Sequence, residues 1–259
     1  MNRGQDDLSG LSNLQGRVAI ITGAAQGMGA AIAGCLAAHG ARVVVADVNE
    51  EKARLQADAL TGAGGEAVAF GVDVTDETAV TEMVAFARAT YADTQVLVNS
   101  AGILRRTRVE AITKSEWDLV LDVNLNGTFL CCAAVLETMR RQGHGRIINL
   151  ASSAGRSVST LGGAHYTASK AGVIGLTRAL AVELGADGIT VNAICPGLID
   201  TEMVEENCAP ERVQEYADSF PIKRLGTPAE VAELVRFLVA DGAYITGACL
   251  DINGGDLML

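Results

Sequence analysis

The chain has 259 residues, 49% of them apolar but only 4% aromatic. A chain of this length buries a large core, and this composition makes it one of Ala, Val, Ile and Leu, as in parallel strands covered by helices. The formal net charge of -11 argues against a nucleic-acid partner, because phosphate is repelled over most of such a surface.

The six cysteines, Cys35, Cys131, Cys132, Cys195, Cys208 and Cys249, form no C-x-x-C pair and have no histidine cluster near them. No metal site is expected, and the thiols read as reduced, mostly buried groups of a cytoplasmic protein. Residues 1–13 contain no apolar run and read as a flexible lead-in, neither signal peptide nor membrane anchor. No later stretch offers about 20 uninterrupted apolar residues, so no membrane partner is expected.

Strand and helix patterns then alternate. Strands are predicted at 17–21, 42–46, 66–72, 96–99, 145–151, 190–195 and 249–252. Helices are predicted at 31–39, from about residue 50, and at 77–91, 115–141, 166–185 and 228–240. This rhythm predicts an α/β chain: a single Rossmann-like, doubly wound parallel sheet with helices on both faces, spanning 14–259 as one domain. Residues 200–220 break the rhythm. They are rich in Glu, have no strand pattern and follow Pro196-Gly197, where a substrate lid would sit beyond the strand ends.

The first strand runs into Thr22-Gly23-Ala-Ala-Gln26-Gly27-Met28-Gly29 and then a helix. Glycines let the backbone turn sharply and approach a pyrophosphate, and the helix N-terminus offers it unpaired N–H groups. The G-x-x-x-G-x-G spacing departs from the commoner dinucleotide fingerprint, so the strand-before, helix-after context carries the reading. Asp47 ends the second strand, about 20 residues on, where a carboxylate accepts from the adenine ribose hydroxyls and repels a 2′-phosphate. Val48 and Asn49 follow it, with no base among them, and the loop carries Gln26. The expected cofactor is therefore NAD. Asp73 and Val74 are placed against the adenine, and Asn99, Ala101 and Gly102 where the chain passes close to the cofactor.

Tyr166-Thr-Ala-Ser-Lys170 opens a helix and puts phenol and ammonium on one face. A nearby ammonium favours the phenolate, which would tune Tyr166 as a general acid and base. Ser152, at the end of the fifth strand, is placed to hold a substrate oxygen. Asn124 lies inside the long predicted helix, where Asn is unfavourable unless it has a task such as holding a relay water. His165 is expected at the surface or pocket rim, since neighbours in a helix do not share a face.

In this combination and order, the motifs resemble those of the short-chain dehydrogenase/reductase family, compact subtype. They are Thr22-Gly23…Gly27-x-Gly29, Asp73, Asn99-x-Ala101-Gly102, Asn124, Ser152, Tyr166-x-x-x-Lys170 and Pro196-Gly197. The resemblance runs from about Leu14 to the C-terminus. It implies a catalytic set of Asn124, Ser152, Tyr166 and Lys170, with Ser152 and Tyr166 also binding substrate. It further implies that Lys170 bonds the nicotinamide ribose, that Ile199 and Thr201 contact the carboxamide, and that the protein is a homotetramer. Ser100 stands where the family usually has a second Asn, and the family's usual serine-to-tyrosine spacing points to Ser153 rather than Ser152.

The implied activity is interconversion of a secondary alcohol and a ketone with NAD(H). Arg224-Leu-Gly226-x-Pro228-x-Glu230 and Asn253-Gly254-Gly255 resemble 3-oxoacyl carrier-protein reductases, which is the alternative reading. A non-catalytic dinucleotide sensor would carry a broken set, and a sugar epimerase a longer C-terminal part.

Overall fold

The computed structural model describes residues 13–159 and 161–259. All but Asn13 of the predicted lead-in lies outside them. Seven strands form one parallel sheet in the order β3-β2-β1-β4-β5-β6-β7. They are β1 Val18–Thr22, β2 Arg42–Asp47, β3 Glu66–Gly71, β4 Val96–Asn99, β5 Gly145–Leu150, β6 Ile189–Pro196 and β7 Cys249–Ile252. The chain moves outward one way through β1, β2 and β3 and the other way through β4 to β7. That reversal leaves a crevice at the carboxyl ends of β1 and β4, where ligands of such sheets sit.

Strand periodicity sorts the core into two halves. Ala19, Ile21, Val43 and Val45 face one way, against Ile32 and Leu36 of α1 (Gly27–Ala38) and Val235 and Leu238 of α9 (Pro228–Ala240). Val18, Ile20, Val44 and Leu97 face the other way. They meet Val80 and Met83 of α3 (Glu77–Thr90), Val135 and Met139 of α5 (Gly127–Gln142) and Leu184 of α6 (Ala164–Leu184). α2 (Glu50–Gly62) starts at Asn49, whose side chain accepts from the Lys52 N–H.

Three boundaries differ from the predicted ones in ways that matter to the site. α1 starts at Gly27, so Gly27, Met28 and Gly29 form its first turn rather than a loop before it. α6 starts at Ala164, which makes Tyr166 its third residue. The helix predicted at 115–141 is interrupted: α4 (Lys114–Leu121) passes through a π-helical turn at Asp122–Asn126 into α5. Such a turn carries one extra residue and re-aims a side chain, here Asn124. By length and hydropathy the span Lys114–Gln142 would suffice to cross a membrane. Here its Cys131, Cys132, Val135 and Met139 are core residues. The stretch predicted as a lid holds two helices, α7 (Glu202–Asn207) and α8 (Pro210–Ser219).

Candidate active site

Two cavities meet at the carboxyl end of the sheet. The first, about 440 Å³, is lined by Gly23, Gln26, Gly27, Met28, Gly29, Asp47, Asp73, Val74, Ala101, Gly102 and Thr201, all singled out in the sequence. The second, about 90 Å³, takes in Ser152, Tyr166, Pro196, Gly197 and Ile199. Met28, Thr201 and Met203 border both.

Two glycines of the turn, Gly23 and Gly29, have no room for a side chain. Gly23 has φ +64°, and a Cβ on it would lie 2.7 Å from Ala101 Cα; one on Gly29 would lie 2.1 Å from Gly23 O. The close approach joins the loop after β1 to the loop after β4, and Thr22 Oγ1 accepts from the N–H groups of Ser100 and Ala101. Asp47 braces the same turn: Oδ2 accepts from Ala25 N–H at 3.0 Å and Oδ1 from Asn49 N–H at 3.0 Å. Asp73 Oδ1 accepts from Thr75 N–H and Oγ1–H, closing the turn after β3.

A cation absent from the sequence reading stands here. Lys52, in the first turn of α2, donates from Nζ to Gln26 Oε1 at 3.0 Å and lines the first cavity with Asp47. It lies five residues past Asp47, and only the helical turn after Asn49 brings it back to the glycine loop. Asn99 also differs from expectation. Its side chain is buried under the sheet, donating to Asn149 Oδ1 at 2.9 Å and Cys132 Sγ at 3.3 Å, and does not line the cavity.

At the second cavity, the Ser152 hydroxyl hydrogen-bonds the Tyr166 phenol and accepts from Ala154 N–H at 3.1 Å. Of the two serines, Ser152 is thus the one on the phenol. Lys170 is buried; its Nζ donates to Leu150 O at 2.8 Å and lies 5.8 Å from the Tyr166 ring centroid. Burial pulls Lys170 down to about 8. Burial also raises the Tyr166 pKa, and the Ser152 hydrogen bond opposes that rise. The predicted lowering by Lys170 is therefore not what this geometry produces: the ammonium sits beside the ring and is itself desolvated.

Asn124 is fully buried. Its Oδ1 accepts from Ile103 N–H, and its Nδ2 donates to Ile103 O and to Ser169 Oγ at 3.0 Å. The gap between Asn124 and Lys170 is held by Gly102, where a Cβ would meet Asn124 Oδ1 at 3.2 Å and Lys170 Nζ at 3.5 Å. Ser169, next to Lys170, and Ile103, just past the Asn99–Gly102 motif, complete this network and carried no sequence signal of their own. Beyond Tyr166 the cavity wall is partly apolar, with Leu104, Val158, Leu161, Leu198, Met203 and Val204. Ser153, Ser159, Thr201 and Asp256 are polar members of the same lining, and burial pushes the Asp256 carboxyl up.

Residues 23–256 match the family model described as enoyl-(acyl carrier protein) reductase. The chain belongs to the short-chain dehydrogenase/reductase family. Within that family it is 44% identical to the short-chain reductase protein NovJ of Streptomyces niveus, over 93% of this chain and 94% of the relative. It is 41% identical to a 3-oxoacyl-[acyl-carrier-protein] reductase of Synechocystis, over 96% and 100%. A solved structure of a 3-oxoacyl-[acyl-carrier protein] reductase with bound NAD, from Brucella melitensis, superposes with TM-score 0.89 at 34% identity. That match covers 100% of this chain and 98% of the other. As a member of this family the chain is an oxidoreductase with a nicotinamide dinucleotide as its cofactor.

Proposed function

We propose that this protein interconverts a secondary alcohol and a ketone with NAD(H), using Tyr166 as general acid and base. The supporting observation is that the Ser152–Tyr166 hydrogen bond lies where a cavity with a partly apolar wall meets a glycine-walled one. The dinucleotide fits the residues present. The first turn of α1, with Gly27 and Gly29 beside Gly23, would offer backbone N–H groups to a pyrophosphate, and Asp47, lining the same cavity, would meet the ribose. When bound, the nicotinamide supplies or takes up the hydride.

The protein's own residues handle the proton. Ser152 holds the substrate oxygen beside the phenol, and Tyr166 gives that oxygen a proton in reduction or removes one in oxidation. Lys170, held beside the Tyr166 ring by its bond to Leu150 O, would hold the nicotinamide ribose. Asn124 ties the π-helical turn to Ile103 and to Ser169, so its part is to hold the frame around Lys170. Thr201 borders both cavities and Ile199 lines the second, and the two would contact the carboxamide. The apolar wall favours a substrate with an aliphatic or ring body, and α7 and α8 form its lid.

NAD is the preferred cofactor because Asp47 confronts a 2′-phosphate with a carboxylate; Lys52 softens that preference. A 3-oxoacyl thioester is the second substrate class, supported by the names of the Synechocystis and Brucella relatives. Exposed Leu119, Phe129 and Val182 on α4, α5 and α6 support a homotetramer. The six free thiols support a cytoplasmic location.

The test is a panel of secondary alcohols, polyols, cyclic and aliphatic ketones and 3-oxo esters, assayed with NAD(H) and NADP(H) in parallel. Tyr166→Phe is run on each active compound. Turnover lost in the variant with NADH affinity retained is the expected result; wild-type turnover in Tyr166→Phe refutes the assignment.

A further inference from the structure

His165 is fully buried, contrary to the surface position expected for it, and the proposed mechanism does not use it. Tyr166 follows it as the third residue of α6. At that position a helix leaves an N–H without an intrahelical partner, and an N-cap side chain usually covers it. The N-cap of α6 is Gly163, which has no side chain to offer. None would fit: a Cβ there would lie 2.5 Å from Thr107 O and 2.8 Å from the His165 ring.

The imidazole takes over the task. Tyr166 N–H is shared between Gly163 O at 3.1 Å and His165 Nδ1 at 2.9 Å. The far ring nitrogen, Nε2, lies 2.8 Å from Glu116 Oε1. Since Nδ1 faces an N–H donor it must be the bare nitrogen, so the ring proton sits on Nε2 and is donated to Glu116. Glu116 is anchored in turn by the Thr107 hydroxyl. The sequence Thr113-Lys-Ser-Glu116 has capping-box spacing, and Thr113 Oγ1 does accept from Glu116 N–H, but the carboxylate goes to His165 instead.

We propose that His165, braced by Glu116, is the positioning residue for Tyr166: its Nδ1 supplies the side-chain cap that Gly163 lacks, beside the Gly163 carbonyl, and sets where the phenol hangs relative to Ser152 and Lys170. This rests on Tyr166 being the acid–base group.

The variants separate the acceptor from mere filling of space. Asn at 165 carries its oxygen as many bonds from the backbone as Nδ1. Gln reaches toward Glu116 without that acceptor, and Leu does neither. With the fastest ketone of the panel and NADH, kcat is expected to fall about tenfold or more in His165→Leu and His165→Gln, with NADH affinity held. His165→Asn is expected to recover most of the loss. Hydrogen exchange at the Tyr166 amide should quicken in His165→Leu but not in His165→Asn. Should His165→Leu fail to fold, Glu116→Ala leaves the ring unbraced and is expected to lower kcat in the same way.

Wild-type kcat in folded His165→Leu or Glu116→Ala, or an Asn variant no better than Leu, overturns the proposal. Full activity in Tyr166→Phe instead overturns the assignment of Tyr166, while the amide exchange still reads the His165 bond itself.

Discussion

The side chain of Asn124 pairs with both backbone groups of Ile103, accepting its N–H at 2.8 Å and donating to its carbonyl at 2.9 Å. A π-helical turn in one element is thereby stitched to the loop after β4 by a fully buried side chain. Removing the amide strands a buried donor and a buried acceptor. Asn124→Leu is expected to lower stability by about 2–4 kcal/mol, read from urea unfolding. An unchanged midpoint would show that Ile103 finds other partners.

The glycine turn makes a steric prediction. A Cβ on Gly29 would lie 2.1 Å from Gly23 O, so Gly29→Ala must push α1 away from the loop it caps. NADH affinity, followed by nucleotide fluorescence, is expected to weaken by about tenfold or more, equivalent to about 1.4 kcal/mol. Gly175→Ala, where the added methyl meets nothing within 4 Å, is the control and should bind NADH like wild type.

Asp47 and Lys52 pull the cofactor choice in opposite directions. Asp47→Ser is expected to raise the NADP-to-NAD ratio of kcat/KM by about 10- to 100-fold, by removing a carboxylate from the 2′ position. Adding Lys52→Ala should take part of that gain back, because the remaining cation lines the same cavity. Equal ratios in the single and double variants would show that Lys52 serves only Gln26.

Lys170 carries a pH signature. Its folded-state pKa is depressed to about 8, below the ordinary lysine value of 10.5, because burial penalises the ammonium. The folded state then binds fewer protons than the unfolded chain between those values, so this group's contribution to stability rises with pH across that window. Relative to Lys170→Met, the wild type is expected to gain thermal stability between about pH 8 and 10. A difference that stays flat over that range would mean the ammonium is not desolvated.

Much of the fold was legible because its signals are local. Alternating apolar strands and amphipathic helices placed every strand to within a residue or two, and the order of motifs pointed to the family before any contact was known. The glycine loop, Asp47, Asp73, Ser152 and Tyr166 all line the two cavities, since each sits at a strand's carboxyl end or a helix's first turn, positions that spacing alone specifies. The misses have a common cause. The turn at Asp122–Asn126 looks like ordinary helix in sequence, because its register is set by what Asn124 bonds on another element.

Tyr166 and Lys170, four residues apart, were determined by sequence to share a helix face, and that much needs only the helical repeat. Which charge governs the phenol was decided by the tertiary structure. Burial desolvates both groups, Ser152 from another element reaches the hydroxyl, and Lys170 Nζ donates to Leu150 O. His165 and Lys52 belong to the same class. Their chemistry depends on partners 49 and 26 residues away along the chain, and only folding sets those distances.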